Sequence, residues 1–96
     1  MIMTMRRTPT TVAVAAALLA SSGRPRWSYE VAAELGIDRG SVYTILRRMT
    51  GAGWLNDYWE APESAIDRPR RHLYVTSAKG LRELAMLVEH RVSSAA

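Results

Sequence analysis

Residues 27–59 read WSYEVAAELGIDRGSVYTILRRMTGAGWLNDYW, and residues 68–76 read RPRRHLYVT. Ser28 to Leu35 have the apolar spacing of a short helix with Ser28 as its N-cap, and Gly36 stands where a helix can end in a left-handed residue. Gly36-Ile37-Asp38 then forms a tight turn. Asp38 serves as the N-cap of a second helix that runs to about Ala52, and Ser41 completes a weak capping box. From Trp54 to Trp59 and from Arg70 to Val75 the pattern becomes that of strands. The intervening Glu60–Pro69 segment is an acidic loop bounded by prolines. Helix, turn, helix and two-stranded hairpin, in that order, predict a winged helix-turn-helix, a scaffold that places one helix in the DNA major groove.

The helix beginning at Asp38 carries the chemistry. At about 100° per residue, Val42, Ile45, Leu46 and Met49 share one side, which is the core face. Gly40, Thr44 and Arg47 then point outward, with Tyr43 on one edge and Ser41 and Arg48 on the other. Small residues near the start of that face permit close approach to base edges, and the arginines beyond them suit guanine or phosphate. Arg39, Ser41, Tyr43, Thr44, Arg47 and Arg48 are therefore the expected DNA contacts of this helix. Arg68, Arg70 and Arg71, with His72 beside them, cluster where the second strand begins. A wing of this kind lies along the phosphate backbone or enters the minor groove.

Working outward, Thr8-Pro9 reads as an N-cap followed by proline at the first helical position. The helix it starts extends to about Ser22 and is apolar on nearly all sides, through Val12, Val14, Ala15, Ala17, Leu18 and Leu19. A helix without a polar face is buried from several directions, here by the core and by a second subunit. In the central helix Tyr29, Val31, Ala32 and Leu35 are expected core contacts, with Trp27 packing as a staple on the first turn. Thr76 is read as the cap of a last helix over residues 77–94, with an apolar stripe of Leu81, Leu84, Ala85, Val88 and Val92. The expected division is a flexible lead over residues 1–8, a DNA-binding unit over 9–76 and a C-terminal dimerisation helix over 77–96. Val12, Leu19, Leu81, Leu84 and Val88 are the expected dimer contacts.

Bulk properties agree with an anionic partner. The 96 residues suit one small domain, and a hydrophobic content of 48% suits a globular one. The formal charge is +4, supplied almost wholly by arginine, with Lys79 the only lysine. There is no cysteine, which excludes disulfides, thiolate metal sites and thiol nucleophiles. His72 and His90 are too far apart in the chain to suggest a metal site. No cofactor motif, paired carboxylate site or Gly-rich phosphate loop is present, so an enzyme is not expected. Arg6-Arg7 ahead of the Val12–Ala20 run has the outline of a signal peptide. The Thr8-Pro9 helix start favours a folded element instead, and the run is too short for a span of about 20 residues. The expected location is cytoplasmic.

Several of these residues resemble those of the PadR-type transcriptional regulators, in a short form. The resemblance rests on Gly40-Ser41-Val42-Tyr43, Leu46-Arg47-Arg48-Met49 and Gly53-Trp54-Leu55. It continues at Arg68-Pro69-Arg70-Arg71, Tyr74, Thr76 and Gly80, so it covers about residues 27–84. Thr44 departs from the proline usual there, and Thr50 and Gly51 from acidic residues. The resemblance implies a dimeric repressor on an inverted repeat, with the first and last helices forming the dimer. It also implies that Tyr43 meets the DNA backbone, that Ser41 and Arg47 face the groove, and that Arg70 and Arg71 hold the wing on phosphate.

Two further readings use the same elements. One is a recombination or phage-control DNA-binding factor. The other is a winged helix that meets a protein, which would lack the salt sensitivity of DNA binding. The sequence offers no support for a small-molecule effector; Trp27, Trp54 and Trp59 more often pack than line a pocket.

Overall fold

The computed structural model describes the backbone of residues 5–21 and 23–95, and the side chains of 5–21 and 23–89. Three helices come first: α1 (Pro9–Ala20), α2 (Ser28–Leu35) and α3 (Arg39–Gly51). The strands β1 (Leu55–Trp59) and β2 (His72–Thr76) follow, and α4 (Ala78–Ala95) closes the chain. The order α-α-α-β-β-α is that of the winged helix-turn-helix expected from the sequence. Part of the proposed flexible lead, the end of the first helix at Ser22, and the side chains of His90 and Val92 lie outside the described residues.

Local chemistry sets most boundaries. Thr8 Oγ1 accepts from the Thr11 backbone N–H at 3.1 Å, and Pro9 starts α1. Asp38 caps α3 by accepting from the Ser41 N–H at 2.9 Å. Gly36 ends α2 at φ 65°, a conformation that favours glycine. Two caps differ from expectation by one residue. Ser28 lies inside α2, whose N-cap is Trp27, without a side-chain bond. Ser77, not Thr76, caps α4: its Oγ accepts from the Gly80 N–H at 2.9 Å and donates to Gly53 O at 2.7 Å. Adjacent serine and threonine look alike as caps, and only the backbone decides which hydroxyl reaches the free N–H.

The core is one cluster built from both sides of α1. Val14, Ala15 and Leu18 meet Val31 and Ala32 of α2, all four expected residues of α3, Leu55, Tyr74, and Leu84 and Leu87 of α4. Much of α1's apolar circumference is therefore covered within the chain itself, and its exposed side shows alanines, Ala16 and Ala20. Two of the five expected dimer contacts are buried within the chain. Val12 and Leu84 are buried in the chain's own core, whereas Leu81 is 41% exposed and Leu19 and Val88 are half-buried. Leu87 takes a core place outside the anticipated stripe. Tyr29 is also corrected: it is exposed and stacked on Trp27 at 5.5 Å between centroids.

The hairpin pairs Leu55 with Thr76, Asp57 with Tyr74 and Trp59 with His72. Its second strand is flanked on the other side as well. Arg26, in the α1–α2 connection, forms a bridge with Tyr74 through backbone bonds of 2.9 and 2.7 Å. The Arg26 side chain beneath that bridge is buried and charged. It donates to Glu30 at 2.7 Å, Glu34 at 2.8 Å and Ser21 Oγ at 2.6 Å. The wing is thus attached to the helical body through its backbone.

Candidate nucleic-acid interface

One face of α3 is wholly buried, and the opposite face is open. Arg39, Ser41, Tyr43, Thr44, Arg47 and Arg48 are all exposed. The 3.6-residue period that buries Val42, Ile45, Leu46 and Met49 necessarily presents this set outward. Tyr43 is 46% exposed, at the margin between the core and the open face. Tyr43→Phe is expected to keep the fold and its melting temperature while weakening DNA binding about three- to tenfold, the worth of one hydrogen bond. Fluorescence anisotropy and thermal unfolding check this together. Unchanged affinity would remove the hydroxyl from the interface, and a much lower melting temperature would place it inside the protein.

The arginines are not equally free. Arg39 lies over the Tyr29 ring at 5.7 Å. Arg48 and Arg6 flank a cleft of about 280 Å³ between the start of α1 and the outer face of α3, walled by Thr8, Thr10, Ser41 and Thr44. Arg47 donates to Asp57 Oδ2 of β1 at 2.8 Å. In the wing, Arg68 grips the Glu60 carboxylate through both terminal nitrogens, at 2.6 and 3.0 Å. Arg70 Nε donates to the Glu60 carbonyl at 2.5 Å, and the residue remains exposed. Arg71 turns its guanidinium over the Trp27 ring at 4.3 Å, and its buried Nε has no protein partner. All three wing arginines are engaged within the protein, and Arg70 is the most open to solvent of them.

Asp57 is the residue that sequence reasoning missed. It accepts from Arg47 and, at the same Oδ2, from His72 Nε2 at 2.7 Å. An ionised carboxylate can only accept, so Nε2 is the donor in this bond, while Nδ1 lies 3.3 Å from the Tyr74 hydroxyl. The imidazole is stacked on Trp59 at 4.8 Å between centroids and lies tilted against Tyr74 at 4.7 Å. The hydrogen bonds from His72 and Arg47 hold the Asp57 carboxyl below its ordinary range, and Arg68 does the same for Glu60. Each contributes stability at neutral pH that is lost as pH falls through the lowered value. A signal was available in the sequence. Period-two alternation puts Leu55, Asp57 and Trp59 on one face, and an acid there lies beside a basic helix.

Comparison with solved structures identifies the scaffold. A PadR family transcriptional regulator from Eggerthella lenta superposes with a TM-score of 0.65 at 26% identity, over 93% of this chain and 77% of that one. The fold is that of a PadR-like winged-helix regulator. A PadR-like transcription factor from Bacteroides fragilis shares it with a TM-score of 0.68 at 19% identity, covering 96% of this chain and 94% of that one. The PcaV transcriptional regulator from Streptomyces coelicolor, solved with its natural ligand, matches with a TM-score of 0.66 at 25% identity. That match covers 91% of this chain but only 56% of PcaV, so this chain spans little more than half of that relative. No protein-family model and no curated protein matches the sequence. In this PadR-like fold, α3 is the second helix of the helix-turn-helix and β1–β2 the wing hairpin. Among the described residues no helix is long and apolar enough to cross a membrane, and no group of three potential metal ligands is present.

Proposed function

We propose that this chain is a sequence-specific DNA-binding transcriptional regulator that acts in the cytoplasm as a homodimeric repressor. The observation that carries the reading is the two-sided α3: a buried apolar face opposite an open one bearing Arg39, Ser41, Tyr43, Thr44, Arg47 and Arg48. Residues 9–76 form the DNA-binding unit. Inserted in the major groove, α3 reads base edges while Arg70 anchors the wing on the backbone. Repression follows from occupying promoter DNA, without any chemical step.

The dimer is proposed to form on α4 and the adjoining side of α1. On α4 the exposed Leu81 shares a side with the half-buried Val88, and Leu19 of α1 is half-buried as well. An isologous pair would set the two recognition helices about 34 Å apart, one DNA turn, which implies an inverted-repeat site. Sedimentation should find dimers at tens of micromolar; a monomer both with and without DNA would overturn this part.

The test of the function is selection of bound duplexes from a random pool, followed by two variants. Arg47→Ala should weaken the selected duplex about ten- to hundredfold and relax preference at one position per half-site. Arg70→Ala should weaken every duplex alike and flatten the salt dependence. If neither substitution changes affinity, the basic face is only a solvated surface.

A further inference from the structure

Arg47 is the arginine of α3 that touches the wing. Its Nη1 donates to Asp57 Oδ2 at 2.8 Å, although both side chains are well exposed, at 42% and 32%. Between partners this open to water, such a pair contributes little to stability. A carboxylate beside the DNA-facing helix also repels phosphate, so non-specific binding alone gives no reason for it. Asp57 is itself held in place, by His72 at 2.7 Å, and His72 is in turn stacked on Trp59 and packed against the buried Tyr74. A chain of contacts thus runs from the core, through Tyr74, His72 and Asp57, to the guanidinium of Arg47.

We infer that Asp57, braced by His72, is a positioning residue that presets the pose of Arg47 and so sharpens base discrimination by α3. This rests on the DNA-binding reading above. A guanidinium has five N–H donors in a rigid plane, so a bond from Nη1 to Asp57, with the Tyr74 hydroxyl also in reach, engages part of that set and fixes the direction of the rest. An arginine held in one plane can meet the paired acceptors of a guanine edge, and is less free to swing to a phosphate or to another base. Asp57 adds selectivity rather than grip.

The experiment compares affinity for the best duplex selected from a random pool with affinity for a shuffled duplex of the same composition. Asp57→Ala should lower that ratio about tenfold, through one base per half-site, with affinity for the shuffled duplex unchanged or higher. His72→Phe keeps an aromatic ring in the stack but loses the bond to Asp57, and should lower the ratio in the same direction. It carries the test if Asp57→Ala fails to fold. In an Arg47→Ala background, Asp57→Ala should cause no further loss of discrimination, because both act through one guanidinium. An unchanged ratio, an equal loss on both duplexes, or additive losses in the double variant would overturn the inference while leaving DNA binding intact. A parent protein that enriches no duplex and binds none in a salt-dependent manner would overturn the DNA-binding reading, and this inference with it.

Discussion

Gly80→Ala is expected to destabilise the protein by about 3 kcal/mol, a large part of what a domain this small has. A Cβ at Gly80 would lie 1.9 Å from the Trp54 carbonyl oxygen and 2.7 Å from its carbon. That carbonyl has little freedom to withdraw, since it accepts from the Ser77 N–H at 2.9 Å while the Trp54 N–H donates to Met49 O at 2.9 Å. The obstacle is backbone, so the first turn of α4 would have to move off the start of β1. Gly51→Ala is the control. Nothing lies within 4 Å of its added Cβ, and the residue ends α3 without a positive φ, so that variant should be as stable as the parent or slightly more so. Urea unfolding of the two variants checks the contrast. A Gly80→Ala protein as stable as the parent would show that α4 does not make this close approach.

The second large effect is expected at Arg26. The side chain is 2% exposed and serves Glu30, Glu34, Ser21 Oγ and, at 3.4 Å, the Ala17 carbonyl. Its removal would leave the buried Ser21 hydroxyl short of a donor and open a cavity where α1, α2 and the wing meet. The two glutamates reach water, so they would not be stranded as buried charges, which limits the cost. Arg26→Ala should lose about 3 kcal/mol, which lowers the melting temperature by about 10–20 °C. Arg26→Lys should recover only part of this, because one ammonium cannot span acceptors spaced for a guanidinium fork. Arg68→Ala removes an arginine that is 34% exposed rather than 2%, and should lower the melting temperature less than Arg26→Ala does. Calorimetry on the three variants would settle the ranking, and an Arg26→Ala protein that melts with the parent would contradict it.

These two residues mark where sequence reasoning was strong and where it ended. The faces of α3 were legible because helical periodicity is a property of neighbours in the chain: Val42, Ile45, Leu46 and Met49 had to share a side. The Asp38 cap and the Gly36 stop were legible for the same reason. Gly80 belonged to the family resemblance, but its cause, the Trp54 carbonyl, appears only once α4 is laid against β1. The arginines divided most sharply. Arg47, Arg68, Arg70 and Arg71 look alike as letters, yet each is engaged differently: by the Asp57 carboxylate, the Glu60 carboxylate, the Glu60 carbonyl and the Trp27 ring. Ion pairs between elements leave no periodic trace. Arg26 was hidden more completely, in a Gly-Arg-Pro-Arg stretch that reads as the end of a helix and nothing more. The stripe of α4 omitted Leu87 because the side a helix buries depends on where its neighbour lies, here α1.

The bridge between Arg26 and Tyr74 bears on how the molecule assembles. The two residues stand nearly half the chain apart, and β2 has a backbone partner on each side only when both β1 and the α1–α2 connection are in place. A two-stranded hairpin alone is marginal in water. The wing is therefore not a local unit that forms early and waits; its closure depends on a non-local contact that loop-closure entropy delays. The helices can collapse first around α1. The hairpin gains its second backbone partner only through this long-range contact, so the wing is incomplete in a half-folded chain.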